Sequence, residues 1–263
     1  MNEAQARRAL VHYSIQSYRS GWVANHDGNL SVRINDDRIV CTPTAFSKAV
    51  VTLEDLVVVD GNGKKIAGRQ RPFSELVLHL EVYRKRPGIH AVFHAHPPYA
   101  TAFGSSGADM GHPFLPEAVV SLGDTIPTVP LTSPGADGAT ALGAWVKRCD
   151  AVMIAGNGIL TWGPDLETAF LRAELVEHVA KIAHHGAALG GCKSLPVEMV
   201  KALVEKRRKG GLAAPDEGAQ DVGSVSTPAK SASGLVRQAL PNVSADLVSR
   251  MVAEVEKELR TGN

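Results

Sequence analysis

Arg71–Tyr99 reads RPFSELVLHLEVYRKRPGIHAVFHAHPPY, and the organisation of the whole chain follows from it. Glu75 heads a predicted helix over residues 76–86 that carries Leu76, Leu78, Leu80 and Val82 and is closed by Arg86-Pro87. A short apolar stretch then ends in His94-Ala95-His96-Pro97. Side chains alternate across a strand, so His94 and His96 face the same way. Two imidazoles so placed can converge on one ion, and neutral imidazole suits a borderline divalent metal such as Zn2+. Pro97-Pro98 stops the strand directly after the pair, which puts it at a sheet edge where a site can open. The plainer alternative is two histidines hydrogen-bonded to nearby backbone, and a bare His-x-His does not choose between them. His79 is read as a core residue or a support behind the site, not as a ligand.

Composition narrows the class. A chain of 263 residues fits one α/β domain with an appendage, and a net charge of +1 gives no reason to expect nucleic acid or an anionic membrane as partner. Cys41, Cys149 and Cys192 are far apart and odd in number, which argues against a disulfide framework and for a reducing cytoplasm. The charged opening MNEAQARRAL lacks the apolar core of a secretory signal, and no run approaches the roughly 20 apolar residues that span a bilayer.

Taken in order, residues 3–20 read as an amphipathic helix, residues 28–33 and 38–41 as two strands, and residues 56–60 as a third. Beyond the His-x-His strand the pattern predicts a helix over 98–106 and a polar loop over 107–117. Strands are expected at 119–122 and 128–131, a helix at 138–148, a strand at 151–155 and a long helix over 165–190. A helix over 197–209 ends in Lys206-Arg207-Arg208-Lys209, read as a solvated helix end. Composition then divides the chain into a domain over 1–209, a flexible linker over 210–234 and an amphipathic helical tail over 235–263.

Several of these segments together resemble the class II aldolase/adducin family, the fold of fuculose-phosphate aldolase and ribulose-phosphate epimerase. The matching elements are Gly28-Asn29-Leu30-Ser31-Val32-Arg33, Thr42-Pro43-Thr44, Ser74-Glu75, Tyr83 to Pro87 and His94-Ala95-His96-Pro97, all in the family's order. The resemblance covers about residues 5–205 and implies an α/β/α layered single domain around a mostly antiparallel sheet. It further implies a metal held by His94 and His96, Glu75 as the catalytic proton carrier, and substrate contacts from Asn29, Thr44 and Ser74. Zn2+ is the expected ion, with Mn2+ or Mg2+ as alternatives, and a homotetramer is the expected assembly. Glu75 is expected to have its pKa raised by a partly buried site.

The chain also departs from the family. Where the family places a third histidine ligand in an Asn-His-Gly turn, this sequence has Asn157, whose amide oxygen or a water would have to complete the shell. His184 or His185 could replace that ligand only if the long helix bends back. Ala45 and Phe73 stand where the family carries Gly and Ser, which weakens the expected phosphate cradle. The family's catalytic Tyr has no counterpart, and Glu117 lies near its place.

The function implied is metal-dependent aldol cleavage of a small sugar-derived hydroxy-carbonyl compound, with or without phosphate. The alternatives are a decarboxylase, isomerase or dehydratase on the same scaffold, or an adducin-like assembly protein that has lost its chemistry. The stripe in residues 235–261 resembles peptides that tether cargo enzymes to bacterial microcompartment shells. A shell protein is therefore an expected partner and a microcompartment within the cytoplasm an expected location, the alternative being an arm packed on its own domain or oligomer.

Overall fold

The alternation that marks residues 28–33 is two-sided, and it divides the protein into layers. The computed structural model describes residues 1–132 and 136–217. Its elements are α1 (Glu3–Arg19), β1 (Asn29–Asn35), β2 (Arg38–Cys41), β3 (Val57–Val59), β4 (Lys65–Ala67), α2 (Leu76–Lys85) and β5 (Ala91–Ala95). They continue as α3 (Pro98–Ser106), α4 (Pro116–Leu122), β6 (Thr128–Val129), α5 (Ala136–Gly143), β7 (Ala151–Ile154), β8 (Ile159–Gly163), α6 (Leu166–Ala187) and α7 (Val197–Lys209).

Among the described residues the strands form one sheet in the order β4-β3-β2-β1-β5-β8-β7-β6, antiparallel except for β6 with β7. The expected α/β/α layering and mostly antiparallel sheet are therefore present. Every residue of β5, β7 and β8 is buried, as strands covered on both faces should be. On one face Leu30, Val32, Phe93 and Met153 pack with Leu10 of α1, Ala100 of α3 and Phe170 of α6. On the other, Ile39, Val92 and Leu160 pack with Leu76 and Val82 of α2 and Leu142 of α5. Phe93 and Phe170 meet edge to face at 5.5 Å, which adds geometric definition to that burial.

Three expectations change. Residues 119–122 are the last turn of α4, not a strand. Pro116 opens this helix, Glu117 sits in its first turn, and Ala118, Val119 and Leu122 are buried. A four-residue apolar run carries no period, so the helix-start signals decide. Arg207 is not solvated: it is fully buried, while Lys206, Arg208 and Lys209 beside it are exposed. The start of the expected linker is packed on the domain, with Ala214 buried, Asp216 N–H bonded to the Lys147 carbonyl and Glu217 paired with Arg207. Residues 235–263, the expected tail, lie outside the described residues.

Arg207 belongs to a buried charge cluster centred on Asp150, at the end of β7 remote from the histidines. Asp150 is paired with Arg86 after α2 (2.5 Å), Arg172 of α6 (2.9 Å) and Arg207 of α7 (2.7 Å). One carboxylate thereby ties three helices to the sheet. Removing it leaves three guanidiniums short of counter-charge in the interior, where an uncompensated ion costs several kcal/mol. Asp150→Asn, which keeps the volume, should lower the unfolding free energy by about 3–5 kcal/mol in urea titrations. A loss below about 1 kcal/mol would show that the remaining hydrogen bonds hold the helices without the charge.

Candidate active site

The Gly-Asn-x-Ser-x-Arg segment folds as the inner part of β1, and its polar side chains all turn toward α2. Asn29 Nδ2 donates to Glu75 Oε2 at 2.8 Å. Ser31 Oγ bridges His79 Nδ1 at 2.8 Å and Tyr83 Oη at 2.7 Å. Arg33 donates to the carbonyls of Tyr83, Pro87 and Ile89, which close α2 and lead into β5. These three residues are buried, so their hydrogen bonds are needed to offset lost hydration. Together they fix α2 and place Glu75, at its head, over the end of β5.

His94 is opposite Asn29 in the β1–β5 register and is fully buried. Its Nδ1 lies 2.9 Å from the Ile159 carbonyl, which can only accept, so Nδ1 carries the proton and Nε2 presents a lone pair. Burial pushes the His94 pKa down and keeps the ring neutral, with Glu75 opposing the shift. His96 Nε2 is 3.2 Å from His94 Nε2, and Glu75 Oε2 is 3.4 Å from that same His94 nitrogen. Asp27 Oδ2 stands 3.4 Å from His96 Nδ1 on the far side of that ring.

A carbonyl behind one ring and a carboxylate behind the other leave two Nε2 atoms facing each other. Two bare lone pairs at this distance repel unless a cation, a proton or a metal ion, lies between them. The separation also matches the roughly 3.3 Å edge of a tetrahedron with bonds of about 2.0–2.1 Å. The donor set therefore fits a divalent ion held by His94 and His96. Among the described residues no group of three His, Cys, Asp or Glu side chains converges as a ready ligand set.

Glu75 differs from the sequence expectation. Burial pushes its pKa up, but the neighbouring His94 and hydrogen bonds from Asn157 and Asn29 more than offset this and hold it below the ordinary value. Its place at the start of α2 favours the same charge. The expected raised pKa is thus reversed, and Glu75 is ionised at neutral pH. Asn157 Nδ2 donates to Glu75 Oε1 at 2.5 Å, so this amide braces the carboxylate through its nitrogen. Gly158, at φ 67°, lets this turn lie against the Ala95 carbonyl and the His96 ring, where a Cβ would collide with both.

The other expected residues divide. An isolated bridge between Pro43 and Pro72, and a bond from Thr44 N–H to the Arg71 carbonyl, join the Thr44 and Ser74 loops beside Glu75. Ala45 keeps a positive φ of 53°, the conformation for which the family's Gly is suited. Phe73 is buried with its ring 4.9 Å from His79, behind the site and not in it. Asn29 is in place, but one of its amide hydrogens is engaged by Glu75. His184 and His185 pack on Tyr99 at 5.3 and 5.7 Å, on an unbroken α6, and do not join His94 and His96. Glu117 lines a cavity of about 610 Å3 with Thr168, Leu171 and Arg172, separate from the cavity of about 310 Å3 that Glu75 and Asn157 border with Val77, Leu131 and Ile154.

Asp27 did not figure in the sequence reading. An Asp before Gly-Asn reads as a turn residue, and nothing local shows that it faces a histidine 69 positions later. Lys48 was missed for the same reason. It is buried, donates to the Phe46 carbonyl at 3.0 Å, and has its pKa pushed down to about 8 by burial, with the charge of Asp27 opposing the shift.

The fold agrees with comparisons to known proteins. The family profile described as Class II Aldolase and Adducin N-terminal domain matches residues 8–184. The chain is 29% identical to a 5-deoxy-D-ribulose 1-phosphate aldolase of Bacillus thuringiensis, over 76% of this chain and 94% of that one. It is 31% identical to a 3-oxo-tetronate 4-phosphate decarboxylase of Haemophilus influenzae, over 69% and 88%. The crystal structure of YgbL from Klebsiella pneumoniae superposes with a TM-score of 0.70 at 31% identity, covering 77% of this chain and 99% of that one.

Lys48 yields a test of the site's electrostatics. The unfolded chain keeps its proton up to the ordinary value of 10.5, whereas the folded chain releases it near 8. Across that window the unfolded state binds more protons, so the contribution of Lys48 to stability rises with pH. Lys48→Met should therefore be more stable than the parent at pH 7, by up to about 3 kcal/mol, with the advantage shrinking as pH climbs from 8 to 10. Urea unfolding of both proteins across this range measures it; a gap independent of pH would contradict it.

Proposed function

This chain belongs to the class II aldolase and adducin family, and on that premise we propose that it is a metal-dependent carbon–carbon lyase acting on a small sugar-derived hydroxy-carbonyl compound. The observation that carries the reading is the facing pair of His94 and His96 Nε2 atoms, 3.2 Å apart, with an ionised Glu75 beside it. His94 and His96 would hold the divalent ion, with Glu75 Oε2 the nearest carboxylate oxygen and water filling the shell. Such an ion supplies a Lewis acid that stabilises negative charge on a substrate carbonyl oxygen.

The chain's own residues supply the rest. In aldol cleavage a hydroxyl proton leaves, the carbon–carbon bond breaks to release an aldehyde, and the resulting enediolate takes a proton on carbon. An ionised carboxylate can take the first proton and return the second, so Glu75 balances the reaction alone. Asn29 and Asn157 hold its two oxygens and aim it. Thr44 and Ser74 would meet the substrate's phosphate or hydroxyl oxygens at the joined loops. Both relatives above are named for phosphorylated compounds. With Ala45 in place of a Gly and Phe73 in place of a hydroxyl donor, we expect phosphate to count for less here.

Glu75→Gln should retain the fold and bound metal while lowering turnover on the cleaved substrate by roughly two to four powers of ten. The measurement is kcat across a panel of hydroxy-ketones, each offered with and without phosphate, alongside elemental analysis of both proteins. A variant with full activity would remove Glu75 from the chemistry. Parent protein that takes up neither Zn2+ nor Mn2+ would remove the metal.

A further inference from the structure

We infer that Asp27 is the positioning residue that orients His96, and through it sets the affinity of the His94–His96 pair for a divalent ion. The inference rests on the metal reading proposed above. The two imidazoles are held from behind by different means. His94 Nδ1 donates to the Ile159 carbonyl, a backbone group that no single side chain supplies. His96 Nδ1 has the Asp27 carboxylate at 3.4 Å, so its orientation depends on one side chain. The His96 side chain is 28% exposed, against 1% for His94, so packing restrains it less.

Asp27 is not loosely placed. Its Oδ1 accepts from Ala24 N–H at 2.5 Å and its own N–H returns to the Ala24 carbonyl at 3.0 Å, closing a tight turn. That turn is fastened to the end of β5, because His96 N–H donates to the Trp22 carbonyl at 2.8 Å. Gly28, at φ 67°, lets it lie against the His94 carbonyl, 3.1 Å from where a Cβ would stand. With Oδ1 committed to the turn, Oδ2 is the oxygen left for His96. A carboxylate behind a ligating imidazole fixes its tautomer and raises its basicity, and losing such a partner typically weakens metal binding ten- to hundred-fold.

The turn and the histidine contact can be separated by one substitution. Asp27→Asn keeps an oxygen to accept from Ala24, but turns an NH2 group toward His96 Nδ1–H, where it cannot accept. Metal-stripped full-length protein, Asp27→Asn and His94→Ala would be titrated with Co2+, following its visible absorption and the dissociation constant. The thermal midpoints of the stripped proteins would be recorded in parallel. Asp27→Asn should melt within about 3 °C of the parent, yet bind Co2+ roughly ten- to hundred-fold more weakly with an altered absorption band. Binding within threefold of the parent with an unchanged band overturns the role of Asp27 and leaves the metal reading intact. Parent protein that does not bind Co2+, or binding unchanged in His94→Ala, overturns the metal reading itself. If Asp27→Asn melts far below the parent, the same spectra on Asp27→Glu decide: parental affinity supports the inference, and a loss equal to that of Asp27→Asn refutes it.

Discussion

The structure depends on a match of pitch between one strand and one helix. Four residues of α-helix rise about 6.0 Å, and two residues of strand about 6.6 Å. Glu75, His79 and Tyr83 recur every fourth residue on α2, and Asn29, Ser31 and Arg33 every second residue on β1. The near-equal repeats let the three pairs meet in step: Asn29 with Glu75, Ser31 with His79 and Tyr83, and Arg33 with the Tyr83 carbonyl. Burying polar groups costs free energy that these hydrogen bonds offset, so this ladder tolerates little slippage. Sliding α2 by one turn would unpair all three rungs and carry Glu75 about 5 Å from the histidines.

That rigidity is what allows opposing electrostatic forces to coexist at the site. Burial alone would neutralise Glu75 and make it a poor base. Two amide donors and a helix start keep it charged instead. The histidines show the complementary arrangement, with the His94 proton drawn to the Ile159 carbonyl and the Asp27 carboxylate 3.4 Å behind His96 Nδ1. An anionic oxygen and two inward lone pairs concentrate negative potential at one point. Such a point attracts a cation, and the surrounding hydrogen bonds prevent the groups from turning away from one another.

Much of this was legible in the sequence. The strand period gave the shared face of His94 and His96, the Arg86-Pro87 stop gave the end of α2, and the order of motifs gave the layers. Local patterns could not give what depends on contacts distant in the chain. The bond from Asn29 to Glu75 is one such contact, made because α2 arrives 46 residues later. Arg207 looked like one of four solvated cations until Asp150 met it across the core. The bond from the Asn157 amide nitrogen to Glu75 spans 82 residues and left no local sign. The 119–122 run was too short to show a period, and only Pro116 and Gly123 marked it as a helix.

The central claim is that His94 and His96 hold one divalent ion beside Glu75. Anomalous diffraction from crystals grown with Zn2+ and collected on both sides of its absorption edge tests this most directly. The account predicts one strong peak about 2.0–2.1 Å from both Nε2 atoms, with Asn157 still bonded to Glu75 and outside the coordination shell. A peak coordinated by Asn157 would overturn the assignment of that residue. The absence of any peak between the two imidazoles would contradict the claim as a whole.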